Sequence, residues 1–209
     1  MEPQNYKIIK NFIKQNEVDK ILSWVDGLTH NPNNPNHHLT ELSKSLKGKS
    51  FIFDIFQTPI TRYITKFQST SEVKNDRLPS FIIALISRIS LTYDLPTDHI
   101  FLQVVDMEKG GKIDPHYDAS VDGYINLKCN ISVLSEDYSI FIGDESQIIQ
   151  ATDLYSFEAS LYKHWTNEFT SRRVFLSFGF MVDYKTMGRN ESDPRIRLSK
   201  RIQKYFQNL

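Results

Sequence analysis

The chain has 209 residues, 40% of them hydrophobic, and its 25 basic residues balance 25 acidic ones. That length and composition suffice for one domain with a sizeable core, and zero net charge gives no electrostatic reason to expect a polyanion or an anionic membrane as partner. A lone cysteine, Cys129, excludes an intrachain disulfide; with no secretory signal and no stretch near the roughly 18 apolar residues of a membrane span, the chain is expected to be soluble and cytoplasmic.

In chain order, Tyr6 to Phe12 reads as a short extended entry, and a helix capped by Asn16 runs to Leu28 with Val18, Ile21, Leu22 and Val25 at helical spacing. Its apolar face predicts packing on a sheet. Asn31 to His38 is built of Asn, Pro and His and reads as a mobile loop. Leu39 to Lys66 is mixed in character. Leu78-Pro79 opens a second helix to about Thr92, with Phe81, Ile82, Leu85, Ile86 and Ile89 on one face.

From Ile100 the pattern turns to strands. Phe101 to Val105 is rich in strand formers, Lys109-Gly110-Gly111 is a turn, and Ile125 to Leu134 alternates Cys129, Ile131 and Val133 against Asn130 and Ser132. Tyr138 to Ile142, Gln147 to Gln150, Leu154 to Phe157 and Arg173 to Val182 follow, with a hairpin at Gly143-Asp144-Glu145. Short strands at this spacing suggest a sandwich or barrel with helices in front. The polar, basic tail from Arg189 carries Ile202, Tyr205 and Phe206, which a short terminal helix can bury.

Of six histidines, His37 and His38 fall in the Asn-Pro loop, while His30 and His99 flank turns without a carboxylate or cysteine at ligand spacing. These read as surface residues. His116 and Asp118 differ: residues i and i+2 of an extended segment point to one side, so imidazole and carboxylate can converge on one ion. His164, between two strand-like runs, supplies a third ligand. Two imidazoles and one carboxylate with open positions are the facial triad of iron(II) oxygen chemistry, and zinc is the runner-up metal. Arg173 and Ser177 share one face of their strand, opposite Val174, Leu176 and Phe178. A buried cation beside a hydroxyl is costly unless an anion pairs with it.

Together these residues resemble the iron(II)- and 2-oxoglutarate-dependent dioxygenases over roughly Phe101 to Val182. The approach Gln103 to Asp118 looks like the family's strand, glycine turn, strand and ligand pair, and Asp153 to Phe157 like its strand before the second histidine. The resemblance implies an α+β fold, a double-stranded β-helix (jelly roll) with N-terminal helices packed on one sheet. It divides a single domain, 1–209, into an N-terminal elaboration (1–98), a catalytic core (99–185) and a tail with a short helix (186–209). It implies that His116, Asp118 and His164 bind Fe(II), that Arg173 binds the distal carboxylate of 2-oxoglutarate, and that O2 is the oxidant. Met107 stands where many relatives place a tyrosine, and Phe175 where the common Arg-x-Ser pattern has its serine; Ser177 or Gln103 would complete the cosubstrate site instead.

Three substrate branches follow from the resemblance. A prolyl-hydroxylase-like branch usually has a lysine as anchor. A nucleobase-demethylase-like branch carries a further arginine six residues past the first, where this chain has Gly179; that departure and the zero net charge disfavour nucleic acid. Hydroxylation of a small molecule, amino acid or peptide is the preferred branch. Oxidative demethylation, zinc-dependent hydrolysis and a metal-free jelly-roll binding module are the alternatives. Tyr117, Tyr124, Lys128 and Trp165 are near enough to the ligands in sequence to line a pocket, with packing the better reading for Trp165.

Overall fold

Alternation between apolar and polar residues from Ile100 onward gives two largely antiparallel sheets facing each other, seen in a computed structural model that describes residues 6–28, 48–54, 71–72, 78–97, 100–120 and 123–207. The strands are β1 (Tyr6–Ile9), β2 (Gly48–Asp54), β3 (Ser71–Glu72), β4 (Ile100–Met107), β5 (Tyr124–Leu134), β6 (Tyr138–Ile142), β7 (Glu145–Ile149), β8 (Leu154–Glu158), β9 (His164–Thr166) and β10 (Arg173–Asp183). The helices are α1 (Gln15–Asp26), α2 (Ser80–Tyr93) and α3 (Pro194–Gln207). A seven-stranded sheet has the order β1-β8-β5-β10-β4-β2-β3, and a three-stranded sheet the order β7-β6-β9. A bridge between His116 and His164 adds the segment before β5 to the small sheet. The two sheets form a double-stranded β-helix, the jelly roll expected from the sequence. Strands β1, β2 and β3, from the N-terminal region, widen its large sheet.

Along β4, β5, β8 and β10 the large sheet is buried on both faces, for different reasons. On the outside, Val18, Ile21 and Val25 of α1 and Ile82, Leu85, Ile86 and Ile89 of α2 pack against residues including Leu102, Cys129, Ile131, Val174, Leu176 and Phe178. On the inside, Val105, Met107, Tyr155, Phe157 and Phe175 meet Tyr138, Ile140 and Ile142 of the small sheet. Both faces of β5 are therefore covered. Its polar residues Lys128, Asn130 and Ser132, out of step with the outward-facing Cys129, Ile131 and Val133, share the inner side and are buried there. Burial in apolar surroundings raises the Cys129 thiol well above its ordinary pKa, consistent with an inert packing residue.

Helix α1 begins earlier than expected. Lys14, not Asn16, is the N-cap, and its amide donates to Glu17 Oε2 at 2.9 Å. Glu17, three residues past the cap, satisfies a free first-turn donor, so the Asn16 amide side chain is not needed. Strand β7 starts at Glu145 rather than Gln147, because the hairpin turn needs only Gly143 and Asp144. No described helix is long and apolar enough to cross a membrane. The expected loop at Asn31–His38, the histidines His30, His37, His38 and His99, and the side chains of Ile202, Tyr205 and Phe206 lie outside the described residues.

Candidate metal centre

His116, Asp118 and His164 are brought together by backbone pairing. The His116 amide donates to the His164 carbonyl at 3.1 Å and the His164 amide returns a bond at 2.9 Å, which fixes the two residues side by side. Asp118 is held by its amide on the Ala159 carbonyl at 3.0 Å. The segment after it is tied to β5 through Asn126 Nδ2 on Ala119 O (3.0 Å) and Ser120 Oγ on Tyr124 O (2.6 Å). His164 lies on the three-residue β9, an element the sequence pattern had left as a gap between strands.

One ligand atom from each residue lies within 4.8 Å of the others. His116 Nε2 is 3.3 Å and His164 Nε2 3.8 Å from Asp118 Oδ1. Each ring turns its other nitrogen to a backbone carbonyl: His116 Nδ1 to Asp114 O at 2.7 Å, and His164 Nδ1 to Tyr162 O at 3.1 Å. Because a carbonyl only accepts, the proton of each neutral ring belongs on Nδ1, and both Nε2 lone pairs face the carboxylate. These donors fit a divalent metal bound by two histidines and one carboxylate, leaving the remaining positions to other ligands.

Protonation in the ligand-free protein follows from the surroundings. Burial works against an ionised Asp118, but Lys128 and the imidazoles outweigh it and hold the carboxyl far below its usual range. Burial and the neighbouring His116 push His164 down to about 4. Burial also opposes the His116 imidazolium, yet its contact with Asp118 prevails and its pKa is raised. The carboxylate is thus held ionised and the His164 imidazole neutral, while His116 takes up a proton more readily than a free imidazole and must be neutral to bind a metal.

Arg173 opens β10 and is fully buried. Its guanidinium carbon lies 3.9 Å from the ring centroid of Tyr138, 4.5 Å from Phe169 and 4.2 Å from Phe175. Its Nη2 donates to the Tyr138 hydroxyl at 2.5 Å and the Tyr155 hydroxyl at 3.3 Å. Burial raises the Tyr138 phenol well above its ordinary pKa despite the adjacent cation, so the partner is a neutral hydroxyl. Nε and Nη1 of Arg173 have no hydrogen-bond partner, and no described carboxylate pairs with this side chain. Three rings cover the guanidinium while two of its edge donors lie unused: a planar fork matched to a carboxylate.

The two ends are linked through aromatic contacts. His164 packs edge-on against Phe157 at 4.7 Å, Phe157 stacks with Tyr155 at 6.2 Å, and Tyr155 takes the bond from Arg173. Ser177 is buried on the inner face and accepts from Lys128 Nζ at 3.2 Å. Gln103 pairs across β10 with Ser177 and faces the same side. Lys128 sits against Asp118. Trp165 instead stacks with Phe141 at 5.0 Å on the opposite side of the small sheet from Ile140 and Ile142. Tyr138 and Tyr155 were not singled out in the sequence; their signal is a phenol at an inward-facing strand position, on the side where an arginine also arrives.

No family model matches the sequence, and no curated protein matches it. Solved structures do. A Pseudomonas putida prolyl-4-hydroxylase is 11% identical with a TM-score of 0.52, covering 85% of this chain and 92% of its own. A Trichoplax adhaerens prolyl hydroxylase in complex with a hypoxia-inducible-factor oxygen degradation domain peptide fragment is 10% identical, with a TM-score of 0.53 and coverage of 89% and 88%. An oxidoreductase of the 2OG-Fe(II) oxygenase family from Burkholderia pseudomallei is 12% identical, with a TM-score of 0.55 and coverage of 85% and 84%. The chain thus has the fold that 2OG-Fe(II) oxygenases adopt, over most of its length.

Proposed function

We propose that the protein is an iron(II)- and 2-oxoglutarate-dependent dioxygenase that hydroxylates a C–H bond of a small molecule, amino acid or peptide. The observation that carries this reading is the pairing, inside one jelly roll, of a His-Asp-His cluster with a buried arginine that no described carboxylate pairs. His116, Asp118 and His164 hold Fe(II); Arg173, with Tyr138 and Tyr155, takes the distal carboxylate of 2-oxoglutarate. When bound, iron and 2-oxoglutarate supply the activation of O2, with succinate and CO2 as products.

The chain's own part is binding, orientation and exclusion of water. The carbonyls of Asp114 and Tyr162 set both imidazoles with Nε2 toward the metal. Phe157, Phe169, Phe175 and Met107 keep the space between the sheets apolar, which strengthens a carboxylate bond to Arg173. Ser177 and Gln103 lie on the face of the large sheet that a cosubstrate would line. Zero net charge and the peptide bound by the Trichoplax enzyme support a small-molecule or peptide substrate over nucleic acid.

The test is product chemistry. Anaerobically reconstituted protein given O2 and candidate substrates should form succinate only when both Fe(II) and 2-oxoglutarate are present. A zinc-loaded sample that cleaves substrates with no need for 2-oxoglutarate or O2 would overturn the oxygenase reading in favour of a hydrolase.

A further inference from the structure

Lys128 is the one described cation that reaches the cluster, and its placement is built. Its side chain comes from β5 and is buried. Nζ lies 3.2 Å from Asp118 Oδ2 and donates to Ser177 Oγ at 3.2 Å. It also sits 4.7 Å from the centroid of the Phe101 ring. The approach to Oδ2 is a charge contact rather than an aligned hydrogen bond, since Oδ2 has no hydrogen-bond partner that meets directional criteria. The imidazoles approach the other oxygen, Oδ1.

Gly179 explains how the lysine is supported. It lies opposite Lys128 on β5 and opposite Phe101 on β4. A Cβ at Gly179 would fall 2.0 Å from two atoms of the Phe101 ring. The missing side chain therefore lets Phe101 lie against β10 beneath the ammonium. Lysine, ring and glycine form a stack across three neighbouring strands, with Ser177 fixing its position along the strand direction.

We propose that Lys128 is a positioning residue of the metal centre: held by Ser177 and Phe101, it occupies the Oδ2 side of Asp118, so the carboxylate offers the metal Oδ1 alone. A carboxylate free on both sides can bind a divalent ion through two oxygens, which would fill a position the 2-oxoglutarate chelate needs. The inference rests on the metal-centre reading above.

Cobalt(II) alone, titrated into the apoprotein, tests both without confusing them, because its visible ligand-field spectrum reports coordination number without turnover. Lys128→Met is expected to change the band intensity as the second oxygen binds, and to tighten cobalt binding, since a donor is gained and a cation beside the ligand carboxylate is lost. Lys128→Arg should restore most of both. Ser177→Ala should shift the spectrum in the same sense by a smaller amount. Wild-type affinity and spectrum in Lys128→Met would overturn the proposal. So would weaker binding with an unchanged spectrum, which would make Lys128 a support of the fold only. If Lys128→Met does not fold, Ser177→Ala decides alone, an unchanged spectrum overturning the role. Failure of the wild-type protein to bind cobalt through His116, Asp118 and His164 would instead sink the metal centre itself.

Discussion

Arg172 and Arg173 are adjacent in sequence, and the two sides of the large sheet treat them differently. Arg172 reaches outward, half-exposed, to Asp106 at 2.8 Å and to Asp26 at the end of α1 at 2.7 Å. Arg173 turns inward, fully buried, to two phenol hydroxyls and three aromatic rings, with no acid on it among the described residues. On the outer side Arg172 is paired with two acids and helices cover the apolar face. The inner side has a buried cation at one end and a cluster of metal-ligating groups at the other, an arrangement that a dianionic chelator and a divalent ion would complete.

Removing a metal ligand should break this contrast most severely. Asp118→Ala or His164→Ala is expected to abolish iron binding, beyond the roughly 10–100-fold cost of losing an outer-shell partner, while leaving the helix-covered face folded; metal content and circular dichroism would check this. Next comes Arg173→Met. Losing a buried charged partner costs about 2–5 kcal/mol, roughly 30-fold to several-thousand-fold in 2-oxoglutarate affinity, with iron binding retained in a calorimetric titration. The same variant should melt at or above the wild-type temperature without ligand, because an uncompensated buried cation is replaced by an apolar side chain. A large loss of ligand-free stability would mean that Arg173 is structural.

Acid should separate the ligands. A metal needs the neutral imidazoles, and His116, with its raised pKa, takes a proton first as pH falls, whereas His164 remains neutral down to about 4. Iron affinity should therefore fall about tenfold per pH unit below the His116 pKa, level off above it, and show a two-proton slope only near the pKa of His164. A two-proton slope near neutrality would contradict the assigned environments. The smallest effect is expected for Tyr138→Phe, which removes one hydrogen bond to Arg173. At about 0.5–1.5 kcal/mol, 2-oxoglutarate binding should weaken by no more than roughly tenfold, measurable in the same titration.

Much of this contrast is legible in the sequence. The i, i+2 spacing of His116 and Asp118, the isolated His164 and the alternation after Arg173 pointed to the cluster and to an inward arginine. Helices α1 and α2 carried apolar faces strong enough to place, although the N-cap of α1 is Lys14, two residues before Asn16, because Glu17 does the capping. The neutral character of the arginine's surroundings was less legible. Tyr138 and Tyr155 lie 35 and 18 residues from Arg173, and only the pairing of strands across two sheets brings them to it. Strand β9 was missed because three residues carry too little pattern to register. The role of Gly179 depends on the ring of Phe101 lying against it, a cross-strand fact with no local signature.

Under the proposed function, the cluster and the arginine together form one site for iron and 2-oxoglutarate. Its most direct test is an anaerobic titration of the apoprotein with Fe(II) and then 2-oxoglutarate, run in parallel on the wild type and Arg173→Met. The wild type should show a weak visible charge-transfer band when the second component is added, and the variant only at far higher 2-oxoglutarate. No band in iron-loaded wild-type protein at saturating 2-oxoglutarate would contradict it.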